Sequence, residues 1–109
     1  MKKINKVRFL FLAINDLKEI TKYHKKNNSS YANKLINKIN NVKKLLLIFP
    51  LIGKKKIVDN INCYFFRVDK YILIYIIEKE EILITRILHD KRDITDIEFL
   101  NNSDYRIKN

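Results

Sequence analysis

The chain has 109 residues, 47% of them hydrophobic and 11% aromatic, which is enough for one hydrophobic core and too little for two, so we expect a single domain over residues 1–109. Its net charge is +11, and the positive charge resides in the first 60 residues, which hold 15 basic and three acidic residues. No apolar run approaches the roughly 20 residues of a membrane span, no signal peptide is recognisable, and the single cysteine, Cys63, excludes an internal disulfide. These features predict a cytoplasmic protein that does not associate with membranes.

The first predicted elements are a strand and a helix. Residues 5–11 alternate apolar and polar side chains, which is typical of a strand. The following residues have a helical period with one apolar stripe, formed by Ala13, Leu17, Ile20 and His24. The charged residues are predicted to lie outside this stripe: Asp16, Lys18, Glu19, Lys22 and Lys25.

A second helix is predicted after the polar residues 27–30, where Asn28 or Ser29 can cap its first turn. Its predicted buried side consists of Ala32, Leu35, Ile36, Ile39, Val42, Leu46 and Phe49. Its predicted solvent side consists of Asn33, Lys34, Asn37, Lys38, Asn41 and Lys44. Two amphipathic helices joined by a few polar residues form an antiparallel hairpin, and the two apolar stripes need a common platform to cover them.

The second half of the chain is predicted to be that platform. Pro50 and Gly53 are the only proline and glycine, and they mark the change from a helical to a strand period. Three strands, Cys63–Val68, Tyr71–Ile77 and Ile82–His89, are joined by short connections, which predicts an antiparallel meander. The second of them is apolar at every position, as expected of a central strand that is covered on both faces.

A short amphipathic helix is predicted over Thr95–Leu100, and residues 101–109 have the composition of a solvated tail. The predicted fold is therefore α+β: an N-terminal strand and an antiparallel helical hairpin packed on a small antiparallel sheet, with a core over about residues 5–98.

The sequence lacks a glycine-rich phosphate loop, a nucleophile elbow and the His and Cys spacing of metal sites, so we expect no cofactor and no metal. Cys63 lies within a strand pattern and is predicted to be a small buried hydrophobe. His24 ends an apolar helical stripe and is predicted to pack in the same way.

Residues with useful chemistry concentrate where the last strand ends, over residues 86–93. His89 can act as a general base near neutral pH, and Arg86 and Arg92 can each bind phosphate through two hydrogen bonds. Arg67, on an earlier strand, can reach the same surface if the strand register allows. The purely structural alternative is an ion pair between Arg92 and Asp93, with His89 donating a hydrogen bond to a backbone carbonyl.

Four motifs follow one another along the chain: Ala13-x-x-Asp16-Leu17-x-Glu19-Ile20-x-x-Tyr23, Phe49-Pro50-x-x-Gly53, Phe66-x-Val68-x-x-Tyr71-x-x-x-Tyr75 and Ile84-x-Arg86-Ile87-Leu88-His89-x-x-Arg92-Asp93-Ile94. This series resembles the RelE/ParE superfamily, the toxin halves of bacterial type II toxin–antitoxin modules, which are often described as plasmid stabilisation proteins. The resemblance covers about residues 7–98 and implies the same helical hairpin on a sheet that the hydrophobic periods predict.

Two mechanisms occur in this superfamily. RelE-type toxins are ribosome-dependent messenger-RNA nucleases, and resemblance to them implies a catalytic set of His89, Arg92 and Arg67. Ile72 and Phe65, however, stand where those nucleases have basic residues, and Glu98-Phe99 stands where they have a tyrosine. Because an aliphatic side chain cannot stabilise the charge that develops on phosphate, most of the nuclease set is missing.

The Leu88-His89-x-x-Arg92-Asp93 ending resembles the ParE branch, whose members bind DNA gyrase and trap it on cleaved DNA. Gyrase poisoning requires a binding surface and no catalytic constellation. The resemblance therefore implies a growth-inhibiting DNA gyrase inhibitor that is not an enzyme. Its expected target-binding residues are Arg67, Arg86, His89, Lys91, Arg92 and Asp93.

The resemblance also implies a cognate antitoxin that neutralises the toxin in a hetero-oligomeric complex. We expect an acidic, amphipathic and initially disordered antitoxin segment to bind an apolar groove beside the helices and sheet. Lysines on the two helices would steer its approach: Lys18, Lys22, Lys25, Lys34, Lys38 and Lys44.

Two alternatives remain open at this point: the RelE-type nuclease, and a non-toxic nucleic-acid-binding or decayed module. The charge does not decide between them. Lys, Ile and Asn share AT-rich codons, so coding bias and a functional basic face explain the excess of lysine equally well.

Overall fold

A computed structural model describes residues 3–92 of the chain. Its elements, in chain order, are β1 (Lys6–Phe9), α1 (Phe11–Asn27), α2 (Ser29–Ile48), β2 (Lys54–Val58), β3 (Ile61–Val68), β4 (Tyr71–Glu78) and β5 (Glu81–His89). The predicted α+β class and the helical hairpin are confirmed, although the first strand is shorter than predicted because Phe11 already belongs to α1. Asp93, the predicted helix over Thr95–Leu100 and the predicted tail lie outside the described residues. Neither α1 nor α2 is long and apolar enough to cross a membrane.

The strands form one five-stranded sheet in the order β1-β5-β4-β3-β2. The predicted antiparallel meander of β3, β4 and β5 is confirmed, and the apolar strand β4 occupies the centre of the sheet, as predicted. The whole sheet is mixed rather than purely antiparallel, because β1 lies parallel to β5.

The edge strand β2 was not predicted. Its first three residues are lysines, so it lacks the alternation of apolar and polar residues that indicates a half-buried strand. It pairs with β3 over its whole length, from Lys54 opposite Phe65 to Val58 opposite Ile61. The two-residue turn between them consists of Asp59 and Asn60, both with positive φ (52° and 65°), which is the geometry that a tight hairpin requires.

Apolar side chains are buried on both faces of the sheet. On the helix side, Leu35, Ile39 and Leu46 of α2 pack with Leu73 and Tyr75 of β4. On the other side, a second cluster is formed by residues of β3, β4 and β5 and by the residue that precedes α1. Its members are Leu10, Cys63, Ile74, Ile76, Leu83 and Leu88. The prediction that β4 is covered on both faces is therefore confirmed.

The helical hairpin turns at Asn28, whose side chain caps α2 by accepting a hydrogen bond from the backbone N–H of Tyr31 at 3.1 Å. The predicted buried side of α2 is largely confirmed, but Ile36 is only half-buried and Phe49 is 55% exposed. The prediction for Phe49 was wrong because α2 ends at Ile48, and beyond that residue the helical period no longer decides which side chains face the core.

The turn from α2 to β2 is held by one buried hydroxyl. Tyr75 Oη donates a hydrogen bond to the carbonyl of Pro50 and accepts one from the backbone N–H of Gly53, both at 2.9 Å. A Cβ atom at position 53 would lie 2.9 Å from this hydroxyl and 3.1 Å from Tyr64 Cβ, closer than real Cβ atoms normally come. Glycine is therefore required at this position, and the two hydrogen bonds to one hydroxyl hold the turn.

Cys63 is fully buried in the second cluster, as predicted for a small hydrophobe. Burial raises the pKa of its thiol to about 11, so the thiolate that a nucleophile needs is scarce at neutral pH.

Candidate functional site

Polar side chains lie together at one end of the sheet. The start of β4 and the end of β5 meet there, since Tyr71 pairs with His89. We call this group the strand-end cluster: Arg67, Tyr71, His89, Asp90 and Arg92. Three of its members line a cleft of about 240 Å³, together with Asp16 and Glu19 of α1. Arg67, His89 and Arg92 were predicted to share one surface if the strand register allows, and the structure brings these three residues to the same end of the sheet.

Arg67 is bound to carboxylate and carbonyl groups. Its Nη1 donates to Asp90 Oδ2 at 2.7 Å and to the backbone carbonyl of Asp69 at 3.1 Å. The hydrogen bond from Arg67 lowers the pKa of Asp90, which therefore stays ionised to lower pH than a free aspartate. A neighbouring pair is similar: Lys38 Nζ lies 3.1 Å from Asp69 Oδ1 and is the main cause of a lowered pKa at Asp69.

His89 lies at the mouth of the cleft with 41% of its side chain exposed. Its Nδ1 accepts a hydrogen bond from the backbone N–H of Lys91 at 3.2 Å, so this nitrogen does not make the donation to a backbone carbonyl that the purely structural alternative gave to the ring. Nδ1 also lies 3.2 Å from Asp90 Oδ1, so a protonated ring can form an ion pair with that carboxylate.

His24 packs against the cluster from the last turn of α1. Its Nε2 lies 2.8 Å from the hydroxyl of Tyr71, and its ring makes edge contacts with Tyr23, Tyr31 and Tyr71. Burial raises the pKa of Tyr71, so its hydroxyl remains protonated at neutral pH. The prediction that His24 packs into the fold is confirmed.

Arg86 does not share the exposed surface, contrary to the sequence analysis. It is 7% exposed, and it is held by Asp16 of α1 through Nε at 2.8 Å and Nη2 at 2.9 Å. Asp16 Oδ2 also accepts the backbone N–H of Ile87 at 2.9 Å. Asp16 is thus half-buried against β5, not outside the buried face of α1 as predicted.

This contact has a clear structural reason. β1 pairs with β5 only from Glu81 to Ile84, so the rest of β5 needs another partner on that side. Beyond the end of β1, the Asp16 carboxylate accepts hydrogen bonds from β5 in place of a neighbouring strand. It accepts from the N–H of Ile87 and from the guanidinium of Arg86. The signal in the sequence was an acidic residue next to an apolar helical stripe.

Comparison with known proteins identifies the family. A family model described as "ParE toxin of type II toxin-antitoxin system, parDE" matches residues 7–94. The chain belongs to the ParE toxin family.

A solved structure described as "Chromosomal ParDE TA system from P. aeruginosa" is similar to this chain with a TM-score of 0.66 and 17% sequence identity. The similarity covers 80% of this chain and 96% of that chain, and it shows that the two share a fold. No curated protein matches the sequence.

In this ParE-family chain, the lysines predicted to steer an antitoxin are all exposed on the two helices, but they do not form one surface. Lys18 and Lys22 line an open groove of about 510 Å³ whose apolar walls are Ile14, Leu17 and Ile36. Lys38, by contrast, is bound to Asp69 beside the strand-end cluster. The other three, Lys25, Lys34 and Lys44, project from the helices into solvent.

The ParE-family fold also presents an apolar surface that was not predicted from the sequence. It consists of Ile48, Phe49, Pro50, Leu51 and Ile52, and we call it the apolar shelf. Ile48 is 68% exposed, and Phe49, Leu51 and Ile52 are exposed as well. The apolar run Leu45–Ile52 was visible in the sequence, but a run of this kind indicates burial unless the end of the helix is known.

Proposed function

We propose that this ParE-family toxin inhibits DNA gyrase by binding it, and that a cognate antitoxin neutralises the toxin in a complex. The family membership supports the toxin–antitoxin context. The choice of a binding mechanism rests on how the polar groups of the strand-end cluster are already engaged.

The observation that carries this proposal is the state of the candidate catalytic groups. Arg67 is neutralised by Asp90 at 2.7 Å, so a phosphate approaching Arg67 meets a carboxylate as well. His89 Nδ1 lies 3.2 Å from both the backbone nitrogen of Lys91 and Asp90 Oδ1, so this ring nitrogen is already engaged by neighbouring groups of the chain. Arg86 is buried with Asp16.

Two further positions favour binding over RNA cleavage. Ile72 and Phe65 stand where the nuclease branch is expected to have basic residues. Both pack against the second apolar cluster. Neither side chain can stabilise a phosphorane-like transition state.

Half-buried His89 and the exposed residues Lys91 and Arg92, at the end of β5, then form the centre of the proposed target surface. Arg67 extends it along the turn between β3 and β4, and Asp93 follows Arg92 in the chain. A surface with an imidazole and the two exposed cations Lys91 and Arg92 is suited to an acidic protein face close to DNA. Arg86 supports this surface from within.

The antitoxin is proposed to occupy the groove lined by Lys18 and Lys22. Its apolar walls fit the nonpolar face of an amphipathic segment, while the two lysines fit its acidic residues. Lys25, Lys34 and Lys44 would add long-range attraction, whereas the charge of Lys38 is largely offset by Asp69.

A supercoiling assay with purified gyrase tests the target. We expect the wild-type chain to inhibit supercoiling and to increase the amount of cleaved DNA, and Arg92→Ala to weaken inhibition by about tenfold or more. Lys79→Ala, in the distant turn between β4 and β5, is the matched control and should inhibit like the wild type. If gyrase is unaffected by the wild-type chain, the proposed target is wrong; a folding defect in Arg92→Ala would assign Arg92 a structural role.

The nuclease alternative is retained for one observation: His89, Arg92 and Glu19 line the same cleft. Added to translating ribosomes, the purified chain should leave messages intact. Message cleavage that His89→Ala abolishes would replace gyrase inhibition with RNA cleavage. Normal growth of cells that express the chain without an antitoxin gene would contradict both mechanisms and favour the decayed module.

A further inference from the structure

We propose that the β2 edge and the adjoining apolar shelf bind an extended acidic segment of a partner protein, which adds to the sheet as a sixth strand beside β2. The segment alternates acidic and aliphatic side chains. We assign this segment to the cognate antitoxin, and that assignment rests on the proposed function. The binding surface is a separate site, since it lies away from both the strand-end cluster and the groove of Lys18 and Lys22.

The backbone of β2 provides the first argument. β2 is the last strand of the sheet and pairs only with β3 among the described residues. Four of its five residues are exposed, and as the outermost strand it has backbone N–H and C=O groups of alternate residues that point away from β3. Such an edge is a template for an additional strand.

The charges of β2 provide the second argument. Within residues 3–92, no carboxylate lies within 4 Å of Lys54 or Lys55. The ammonium of Lys56 lies over the ring of Phe65, 4.9 Å from its centre. Among the described residues these cations therefore have no carboxylate partner, unlike Arg67, Arg86 and Lys38.

The same lysines argue against a second copy of this chain as the occupant. In the antiparallel register that pairs all five residues of two β2 strands, Lys56 lies directly opposite Lys56. Like charges in opposed positions are destabilising, whereas opposite charges contribute roughly 0.2–1 kcal/mol per pair. Pairing of two β2 strands is therefore disfavoured by charge, and pairing of β2 with an acidic strand is favoured.

The register with β3 gives the pattern of the incoming segment. Lys54 and Lys56 lie opposite Phe65 and Cys63, so they share one face of the sheet. Lys55 and Ile57 share the other face, and Ile57 is 72% exposed. Acidic residues opposite Lys54 and Lys56 therefore alternate with aliphatic residues that cover Ile57 and the stem of Lys55.

The apolar shelf extends this surface at the start of β2, since only Gly53 separates Ile52 from Lys54. The hydroxyl of Tyr75 holds the shelf in one conformation through Pro50 and Gly53. A preorganised apolar surface costs little entropy on binding. An aliphatic residue just beyond the added strand can bury part of Phe49, Leu51 or Ile52.

A peptide titration of the full chain tests the proposal. The probe is a synthetic peptide of alternating Glu and Ile, and its control has Lys in place of every Glu. We expect the acidic peptide to bind at least about tenfold more tightly than the basic one and to shift the NMR signals of the β2 amides. Failure to bind, or binding that leaves β2 unperturbed, overturns the proposal.

Charge reversal then locates the contact. The double variant Lys54→Glu/Lys56→Glu should lose about tenfold or more in affinity for the acidic peptide. The matched control, Lys3→Glu/Lys6→Glu, makes the same change in net charge at the opposite edge of the sheet, where both lysines are exposed. We expect it to bind within about threefold of the wild type; equal losses in the two variants would mean nonspecific attraction and overturn the proposal.

Two more measurements separate this proposal from others. If a single-stranded oligonucleotide displaces the acidic peptide from β2, the edge binds nucleic acid, and the proposal of an acidic protein segment is overturned. Gyrase inhibition by Lys54→Glu/Lys56→Glu should equal that of the wild type. The edge can therefore fail its test while the proposed function stands, and the peptide titration can succeed even if gyrase is not inhibited.

Discussion

The strand-end cluster and the β2 edge both carry several cations, but the cations have different surroundings. At the end of the sheet, Arg67 is paired with Asp90, and the neighbouring Lys38 with Asp69. Along β2, three consecutive lysines face no carboxylate of the described residues. Residue type alone therefore does not show which cations a partner can use.

This difference separates two uses of positive charge. A paired cation contributes to local order, and its field at a distance is largely cancelled by its partner. An unpaired cation contributes to the field that attracts acidic partners and accelerates their approach. The net charge of +11 acts mainly through residues of the second kind.

The largest effect is expected where a pair is buried. Asp16→Ala leaves the guanidinium of Arg86 in the protein without its carboxylate, and it removes the acceptor for the Ile87 N–H. Removal of one partner from a buried pair costs about 3–5 kcal/mol. We expect a loss of this size in the free energy of unfolding, measured by urea denaturation.

The pair of Arg67 and Asp90, which is more exposed, provides the control for that measurement. Arg67→Ala removes an ion pair whose arginine side chain is 59% exposed and whose aspartate side chain is 20% exposed, so the free energy of unfolding should fall by less than it does in Asp16→Ala. Similar losses in Asp16→Ala and Arg67→Ala would show that burial does not distinguish the two pairs.

A smaller effect is expected at the turn that carries the apolar shelf. Tyr75→Phe removes the hydroxyl that binds both Pro50 and Gly53, and it leaves a buried N–H without its acceptor. We expect the free energy of unfolding to fall by about 1–3 kcal/mol. Binding of the acidic peptide should weaken as well, because the shelf loses its fixed conformation.

Tyr64→Phe is the matched control for Tyr75→Phe. The two rings are stacked with centroids 5.3 Å apart, and phenylalanine preserves this contact. The expected change in the free energy of unfolding is below about 0.5 kcal/mol. Equal losses in Tyr64→Phe and Tyr75→Phe would contradict the role assigned to the buried hydroxyl.

The hydrophobic periods predicted the helical hairpin and the central position of β4 because both depend on local pattern and burial. They did not predict β2, since Lys54–Lys56 form a strand only through pairing with β3. The Asp59-Asn60 dipeptide was the available signal, because these residue types tolerate the positive φ of a tight hairpin.

The candidate site was predictable only in part for a related reason. His89 and Arg92 are close in sequence, and the end of a strand placed both at the surface. The pair between Asp16 and Arg86 spans 70 residues and depends on where β1 stops along β5. The exposure of Phe49 likewise depends on the last residue of α2, which hydrophobic periodicity does not determine.

The smallest effect concerns pH and the exposed pair of Lys38 and Asp69. Lys38 lowers the pKa of Asp69 below its ordinary value, so ionised Asp69 stabilises the folded state at neutral pH. This contribution is lost as the pH falls through about 4 and below, where the carboxylate becomes protonated. Lys38→Met should therefore destabilise the chain by at most about 1 kcal/mol near neutral pH, and by less at about pH 2.5.

Lys34→Met, on the same helix and without a carboxylate partner among the described residues, should show no such pH dependence. Urea denaturation of both variants at the two pH values measures the difference; a destabilisation by Lys38→Met that is the same at both would show that the lysine acts through packing of its stem rather than through Asp69.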